Sequence, residues 1–444
     1  MHLFQINKKL ILLKIHYFLS LAGLTPLLGF LSTILRQRGY SSVIVGLIFT
    51  FLPLPGLLIR PIVGGITDKY KCRKFVFILI MIIMSLLSIV LIFIPGTASK
   101  TQMDDDYVIT LPMFWLFFMT VTLFHTGIIA KTLMEDTICM DFLGDEKHKY
   151  GQQRAWGSIG RGFIAIISGV SVDWFSKGQD YKNYTPIYVI SLICNLLNIY
   201  VATKIEVVEN IERQVIASNV KKLFSKISVL AYFLWVVLFG VLCPFIWYYV
   251  YMYMEEIADI YHPETKPYIK TIQGVALSIQ CFGGEFPFFF LSSYVIKHIG
   301  HMNSFSLMFV GFAVRFFLYS IITNPVWVLP VEMLNGVTYA LAYSAAASYA
   351  AQIAPPGAEG TLQALLGTAL MGFGVPMGSF LGGFMFDRFG FIVSFKILSG
   401  AVLAICVIQI TVNQLINRFS KNENVNEEDE SYTGNTTSDS NGIL

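Results

Sequence analysis

The stretch FVFILIMIIMSLLSIVLIFI (75–94) is free of charge along its whole length and apolar on every helical face. A helix crosses the hydrocarbon of a bilayer with about 20 such residues, whereas a barrel strand needs only about ten alternating ones. The spanning element is therefore helical. Working outward, further apolar runs separated by polar or Pro/Gly-rich breaks predict spans at 11–35, 43–66, 75–95, 111–140, 150–174 and 185–203, then 229–254, 269–295, 302–322, 327–353, 360–384 and 391–416. The expectation is an all-α integral membrane protein with twelve transmembrane helices in two six-helix pseudo-repeats.

Composition agrees. Of 444 residues 55% are hydrophobic and 13% charged, with a mean hydropathy of +0.64, where a soluble domain carries roughly 25% charged residues. A formal charge of +3, scattered along the chain, excludes a nucleic-acid partner of the usual basic kind. The six cysteines, Cys72, Cys139, Cys194, Cys243, Cys281 and Cys406, fall singly on apolar helices or near their ends. They lack the close pairing of disulfide frameworks and zinc sites and read as packing residues. No cofactor or metal is called for.

The chain divides into an N-terminal half (1–203), a charged amphipathic linker (204–228) suited to the membrane face, a C-terminal half (229–418) and an acidic tail (419–444) too poor in apolar residues to fold. With the N-terminus inside, inner segments collect about 17 Lys/Arg against about 8 outside, which places both termini in the cytoplasm. The sequon Asn183–Tyr184–Thr185 then faces outward, as a glycosylation acceptor must.

Several strings carry chemistry. GGITDKYKCRK (64–74) joins spans two and three: Gly64 admits a close helix, and Asp68 lies within reach of Lys69 or Arg73 for an ion pair that latches one conformation. The corresponding second-half string, SYVIKHIGHMNSF (293–305), keeps only Gly300 and Lys297. Charges inside spans are costly and mark sites, pairs or wet cavities. Asp136 and Arg154 lie symmetrically about a turn between spans four and five; Arg315 and Glu332 do so about Thr323–Asn324–Pro325. Each set can pair across neighbouring helices, either as a site or as a structural ion pair. Glu285, in CFGGEFPFFF (281–290), sits beside glycines and two residues before the helix-kinking Pro287. Tyr339 and Tyr343, one turn apart, can stack on a ring-shaped solute, and Gly374, Gly378 and Gly382 form a smooth stripe for close packing or rocking. Lys131 and Glu135, four apart, can neutralise each other. His125 reads as the one histidine well inside a span, a packing residue.

The 64–74 loop resembles the major facilitator superfamily pattern G-x-x-x-D-[RK]-x-G-x-[RK]-[RK], with Gly64, Asp68, Lys69, Arg73 and Lys74 in place and Lys71 where that family has Gly. YGQQRAWGSIGRGFIAIISG (150–169), residues 314–361 and LGGFMFDRFGF (381–391) are similar to the group of lactose permease, nucleoside–proton symporters and the animal major facilitator superfamily domain-containing protein 6 branch. The resemblance implies substrate contacts at Asp136 and Arg154, and an Arg on span nine, here Arg315, beside a proton-handling span ten. Two departures matter. Arg161 replaces an aromatic residue, and Asn335 and Thr338 stand where lactose permease has its His and Glu relay, so any coupling proton falls to Glu332 or Glu285.

The function expected is secondary transport of a small polar organic solute, sugar- or nucleoside-like, by alternating access with possible proton coupling, by a monomer in the plasma membrane. A transport-inactive receptor or scaffold of the same fold is the alternative. An embedded enzyme is disfavoured, because neither G-x-S-x-G nor H-E-x-x-H occurs.

Overall fold

The computed structural model describes residues 8–94, 101–143, 150–205, 226–355 and 359–438, and these contain helices and no strands. Ten helical stretches are long and apolar enough to cross a membrane. The last of them, Thr361–Ile416, contains Gly390 at φ 72°, ψ 169°. A side chain rarely adopts that backbone, and the glycine turns one stretch into two crossings. One more crossing, over 325–353, is assembled from short pieces: a 3₁₀ turn at Pro325–Trp327, an α turn at Val328–Val331, a second 3₁₀ turn at Glu332–Leu334, a π turn at Gly336–Leu341 and an α-helix at Ala342–Ile353.

Spans one, three, four, five and six are the helices Lys8–Gln37, Arg73–Phe93, Pro112–Leu143, Tyr150–Phe175 and Thr185–Lys204. Span two comprises Ser42–Phe51 and Leu54–Tyr70 about Pro53. Span seven comprises Ile227–Trp247 and Val250–Tyr261, and span nine is His301–Ile321. Span eight runs through Ile269–Ile279, a π turn at Gln280–Glu285 and Phe286–Ile299. Pro287 has no N–H to offer the carbonyl four residues back, and the Phe286 N–H instead reaches Cys281 O, which is the wider π geometry. The same arrangement recurs before Pro376, where the π turn Thr368–Gly374 ends with the Val375 N–H on Leu370 O. The linker lies mostly outside the described residues, and the tail read as disordered continues the last helix as backbone to Ser438, an extension that needs no new nucleus.

All six cysteines are free, and five are buried. The glycine stripe of span eleven packs on span seven of its own half. A Cβ at Gly374 would meet Gly240 Cα at 2.6 Å, and one at Gly378 would meet Val241 O at 2.1 Å.

The two halves meet mainly at the end of the bundle away from the chain termini, called here the far end. Arg36 donates to Met252 O at 2.7 Å and pairs with Glu256 at 3.2 Å. Lys182 bonds Asp173 at 2.6 Å and Pro267 O at 2.9 Å, and Asp173 accepts from the Thr271 N–H and hydroxyl, both at 2.7 Å. Glycines bring backbones together there: a Cβ at Gly274 would lie 2.3 Å from Ala165 O, and one at Gly169 would lie 2.2 Å from Lys270 O. At the opposite, terminal end, a Cβ at Gly64 or Gly65 would meet nothing within 4 Å. The close helix approach expected at Gly64 is not made to any described residue.

Candidate functional site

The antiparallel run of spans four and five brings Asp136 and Arg154 to one level, 3.9 Å apart, with 34% and 45% of their side chains exposed. The Tyr17 hydroxyl of span one lies 3.3 Å from Asp136 Oδ1. This partly solvated pair of opposite charges sits toward the terminal end.

Deeper in, Arg161 is one helical face along span five and its Nη1 lies 3.4 Å from Glu285 Oε1 on span eight. Ser158 donates to the other carboxylate oxygen at 3.4 Å, and the Asn335 amide donates to Oε1 at 3.1 Å. Glu285 is buried and Arg161 is partly open. This contact joins the two halves, whereas Arg161 had no role in the sequence reading beyond its departure from an aromatic. The only available signal was the unexplained cation in a span.

Asn335 continues the chain of bonds into span nine, where its Oδ1 accepts from Arg315 Nη1 at 3.0 Å. Arg315 also donates to Thr338 Oγ1 at 3.1 Å and to the Tyr319 hydroxyl at 2.9 Å, and it pairs with Glu332. Glu332 accepts in addition from Tyr319 at 2.5 Å and from Gln280. Arg315 and Glu332 are both fully buried. Removing two charges from water costs several kcal/mol per ion, and such a pair persists only where further hydrogen bonds satisfy it. Here every neighbour supplies one. Asn335 and Thr338, the departures from a histidine–glutamate relay, are thus employed in holding Arg315.

Tyr339 and Tyr343 lie half-buried with ring centroids 5.9 Å apart and planes 26° from parallel. Trp247 packs edge-on to Tyr339 at 5.4 Å. Tyr339 lies within electrostatic range of both Glu285 and Arg154, and Arg161 within range of Tyr339 and Tyr251. Arg161, Glu285, Arg154 and Tyr339 are therefore neighbours where the halves meet. Together they offer cations, a carboxylate and a ring face, which suit a solute bearing hydroxyls or amides.

The loop residues act elsewhere. Arg73 bonds Asp141 of span four at 2.6 Å, Lys74 donates to Thr203 O at 2.9 Å, and Lys69 lies over the Tyr70 ring at 5.3 Å. The side chain of Asp68 lies outside the described residues. Lys71 adopts φ 52°, ψ 45°, so the turn does take the left-handed backbone that Gly would ease. Asn183 closes a turn just before the next helix, its Oδ1 accepting from the Thr185 N–H at 3.0 Å.

One reading needs correction. His16, not only His125, lies inside a span: it is 2% exposed, with Nε2 3.2 Å from Glu135 Oε1. Its place near the start of span one, after Lys14, disguised its depth. Lys131 is 3.4 Å from the same carboxylate oxygen, so Glu135 serves two bases.

The family model described as MFS_1 like family matches residues 10–397. An uncharacterized transporter of Bacillus subtilis (strain 168), YwbF, is 25% identical over 395 residues, covering 87% of this chain and 89% of that protein. Among solved structures, the nucleoside transporter NupG superposes with a TM-score of 0.75 at 14% identity, covering 91% of this chain and 99% of that one. The peptide transporter POT in complex with sulfate gives 0.67 at 11% identity, with 94% and 96% covered. Since the family model spans both halves, the chain belongs to the MFS_1-like family of the major facilitator superfamily and is a membrane transporter rather than an enzyme.

Proposed function

We propose that the protein is a secondary transporter of a small polar organic solute, sugar- or nucleoside-like, in which the halves 1–203 and 229–418 rock about a central site. The carrying observation is that Arg161 and Glu285, from opposite halves, meet at 3.4 Å, with Tyr339 within electrostatic range of Glu285 and Arg154. A solute that bonds both halves at once is what alternating access requires. With both termini cytoplasmic, the closed far end is extracellular, and the conformation faces the cytosol. Asp136 and Arg154 then greet the solute at the open mouth, Arg161 and Glu285 hold it at mid-membrane, and Tyr339 with Tyr343 stack on its ring. Arg315 and Glu332 act as a fixed buried pair. The likeness to NupG supports the nucleoside-like end of this range only through fold.

The test is thermal stability of the purified protein in detergent against sugars, nucleosides, amino acids and organic anions. A ligand at a hundredfold excess over its Kd stabilises by about 2.7 kcal/mol. A solute that stabilises the wild type but not Asp136→Asn names the class and places it. A well-folded protein that responds to none turns the reading toward a receptor or scaffold.

A further inference from the structure

The cluster around Glu135 has more bases than its single carboxylate can serve. Glu135 Oε1 accepts from the Ser20 hydroxyl at 2.5 Å, stands 3.4 Å from Lys131 Nζ and 3.2 Å from His16 Nε2. Ser20 in turn accepts from Lys131 Nζ at 2.7 Å. All four side chains are more than nine-tenths buried. With Lys131 charged and His16 neutral the cluster has no net charge. His16 then remains poorly satisfied: its Nε2 is near the carboxylate but off the line of a hydrogen bond, and its Nδ1 has no partner among the described residues. A buried polar atom left in that state costs about 1–3 kcal/mol. Its ring otherwise meets Phe77 edge-on at 5.3 Å.

The groups facing His16 are few. Span one adds Tyr17, span four adds Lys131, Glu135, Asp136 and Cys139, and span five adds Arg154 through Asp136. Span three presents Phe77, and span six carries no charged residue between Thr185 and Thr203. Tyr17 provides the route outward. Its hydroxyl lies 3.4 Å from the Glu135 carbonyl and 3.3 Å from Asp136 Oδ1, and Asp136 pairs with the half-exposed Arg154.

We infer that His16, set against Glu135 and Lys131, is the site where the transporter takes up its coupling proton from water at the terminal end, and that Tyr17 and Asp136 convey this to the substrate pair. The inference rests on the transporter reading above and deepens it. The step is a protonation alone: Nδ1 gains a proton, imidazole becomes imidazolium, and Glu135 turns from Lys131 toward the new cation. That turn shifts Tyr17, which is bonded next to Asp136, and so alters the hold on Arg154. No proton on Glu332 is needed.

The experiment is a ¹⁵N-histidine NMR titration of the full chain in nanodiscs, with His16 among the seven histidines assigned by its loss in His16→Gln. The assignment requires that His16 of the wild type pass from one protonated ring nitrogen to two within the range scanned, about pH 9 to about pH 5. Removing a neighbouring charge should move its midpoint by about one unit or more: up in Lys131→Met, down in Glu135→Gln. A ring that keeps one tautomer throughout, or a midpoint indifferent to both variants, overturns the assignment. The wild-type titration decides even where a variant misfolds, and it needs no solute, so a failed ligand panel and a failed proton site are told apart. Where a solute is found, His16→Gln in liposomes must lose accumulation driven by a pH gradient while keeping solute exchange; retained accumulation overturns the coupling role.

Discussion

Arg161 of span five and Glu285 of span eight form an ion pair, 3.4 Å long, whose two partners come from opposite halves of the chain. Any motion that parts the halves at mid-membrane must break it or replace it. A polar solute entering between the two side chains is the natural replacement, since it can satisfy both.

Removing Arg161 leaves Glu285 buried with Ser158 and Asn335 as its donors among the described residues. Arg161→Leu should lose about 2–3 kcal/mol, less than the 3–5 of a fully buried pair because Arg161 is partly open. Glu285→Gln in the same chain should recover most of it. Thermal unfolding of the two single variants and the double variant gives the coupling, and equal melting of Arg161→Leu and wild type would contradict it.

Arg315 is the more costly residue to lose. Arg315→Met strands the Glu332 carboxylate with Tyr319 and Gln280 in a fully buried place, and a loss of about 3–5 kcal/mol is expected. The readout is the midpoint of detergent-solubilised protein on heating. A loss below about 1 kcal/mol, the value of an exposed pair, would mean that water reaches Glu332.

Lys71 gives a prediction of opposite sign. It holds φ 52°, a left-handed backbone that costs an ordinary L-residue about 1–2 kcal/mol. Lys71→Gly should therefore raise stability, by about 1 kcal/mol or somewhat less once glycine's greater unfolded freedom is counted. Lys71→Ala should not, and comparison of the two melting curves separates backbone relief from charge removal.

The far-end closure depends on bare backbones at Gly169 and Gly274. Gly274→Val would force its side chain against Ala165 O, where a Cβ alone already falls at 2.3 Å. Spans five and eight should be held apart at that end. A cysteine placed at Thr271, which is tied to Asp173 in the closed form, should then react about tenfold faster with a membrane-impermeant maleimide than in the Gly274 parent, the factor that about 1.4 kcal/mol of population shift produces. Equal labelling would show that closure survives the bulk.

The spans were legible because twenty-residue apolar runs admit few other solutions in a lipid solvent. Span ten was read as one crossing, yet Pro330 and Gly336 break it into turns of three helical kinds, and a hydropathy run is blind to such changes of pitch. The pairs Asp136–Arg154 and Arg315–Glu332 could be drawn from the sequence since each joins neighbouring antiparallel helices about one turn. Arg161 and Glu285 stand 124 residues apart on helices that touch only when the halves assemble, so no local pattern announces them. His16 was hidden differently: in a helix apolar all round, periodicity does not say which face meets the neighbouring carboxylate.

Four opposite pairs of charged side chains lie within the described spans: Lys131 with Glu135, Asp136 with Arg154, Arg161 with Glu285 and Arg315 with Glu332. Each pair has almost no net charge for a transmembrane electric field to pull upon, so the resting voltage of a cell does little work on these pairs. It does act on a cation added without an anion, at about 2.3 kcal/mol per elementary charge for each 100 mV. A proton on His16 is such a cation. A neutral solute carried with it would draw current, and its uptake would steepen with hyperpolarisation although the solute itself bears no charge.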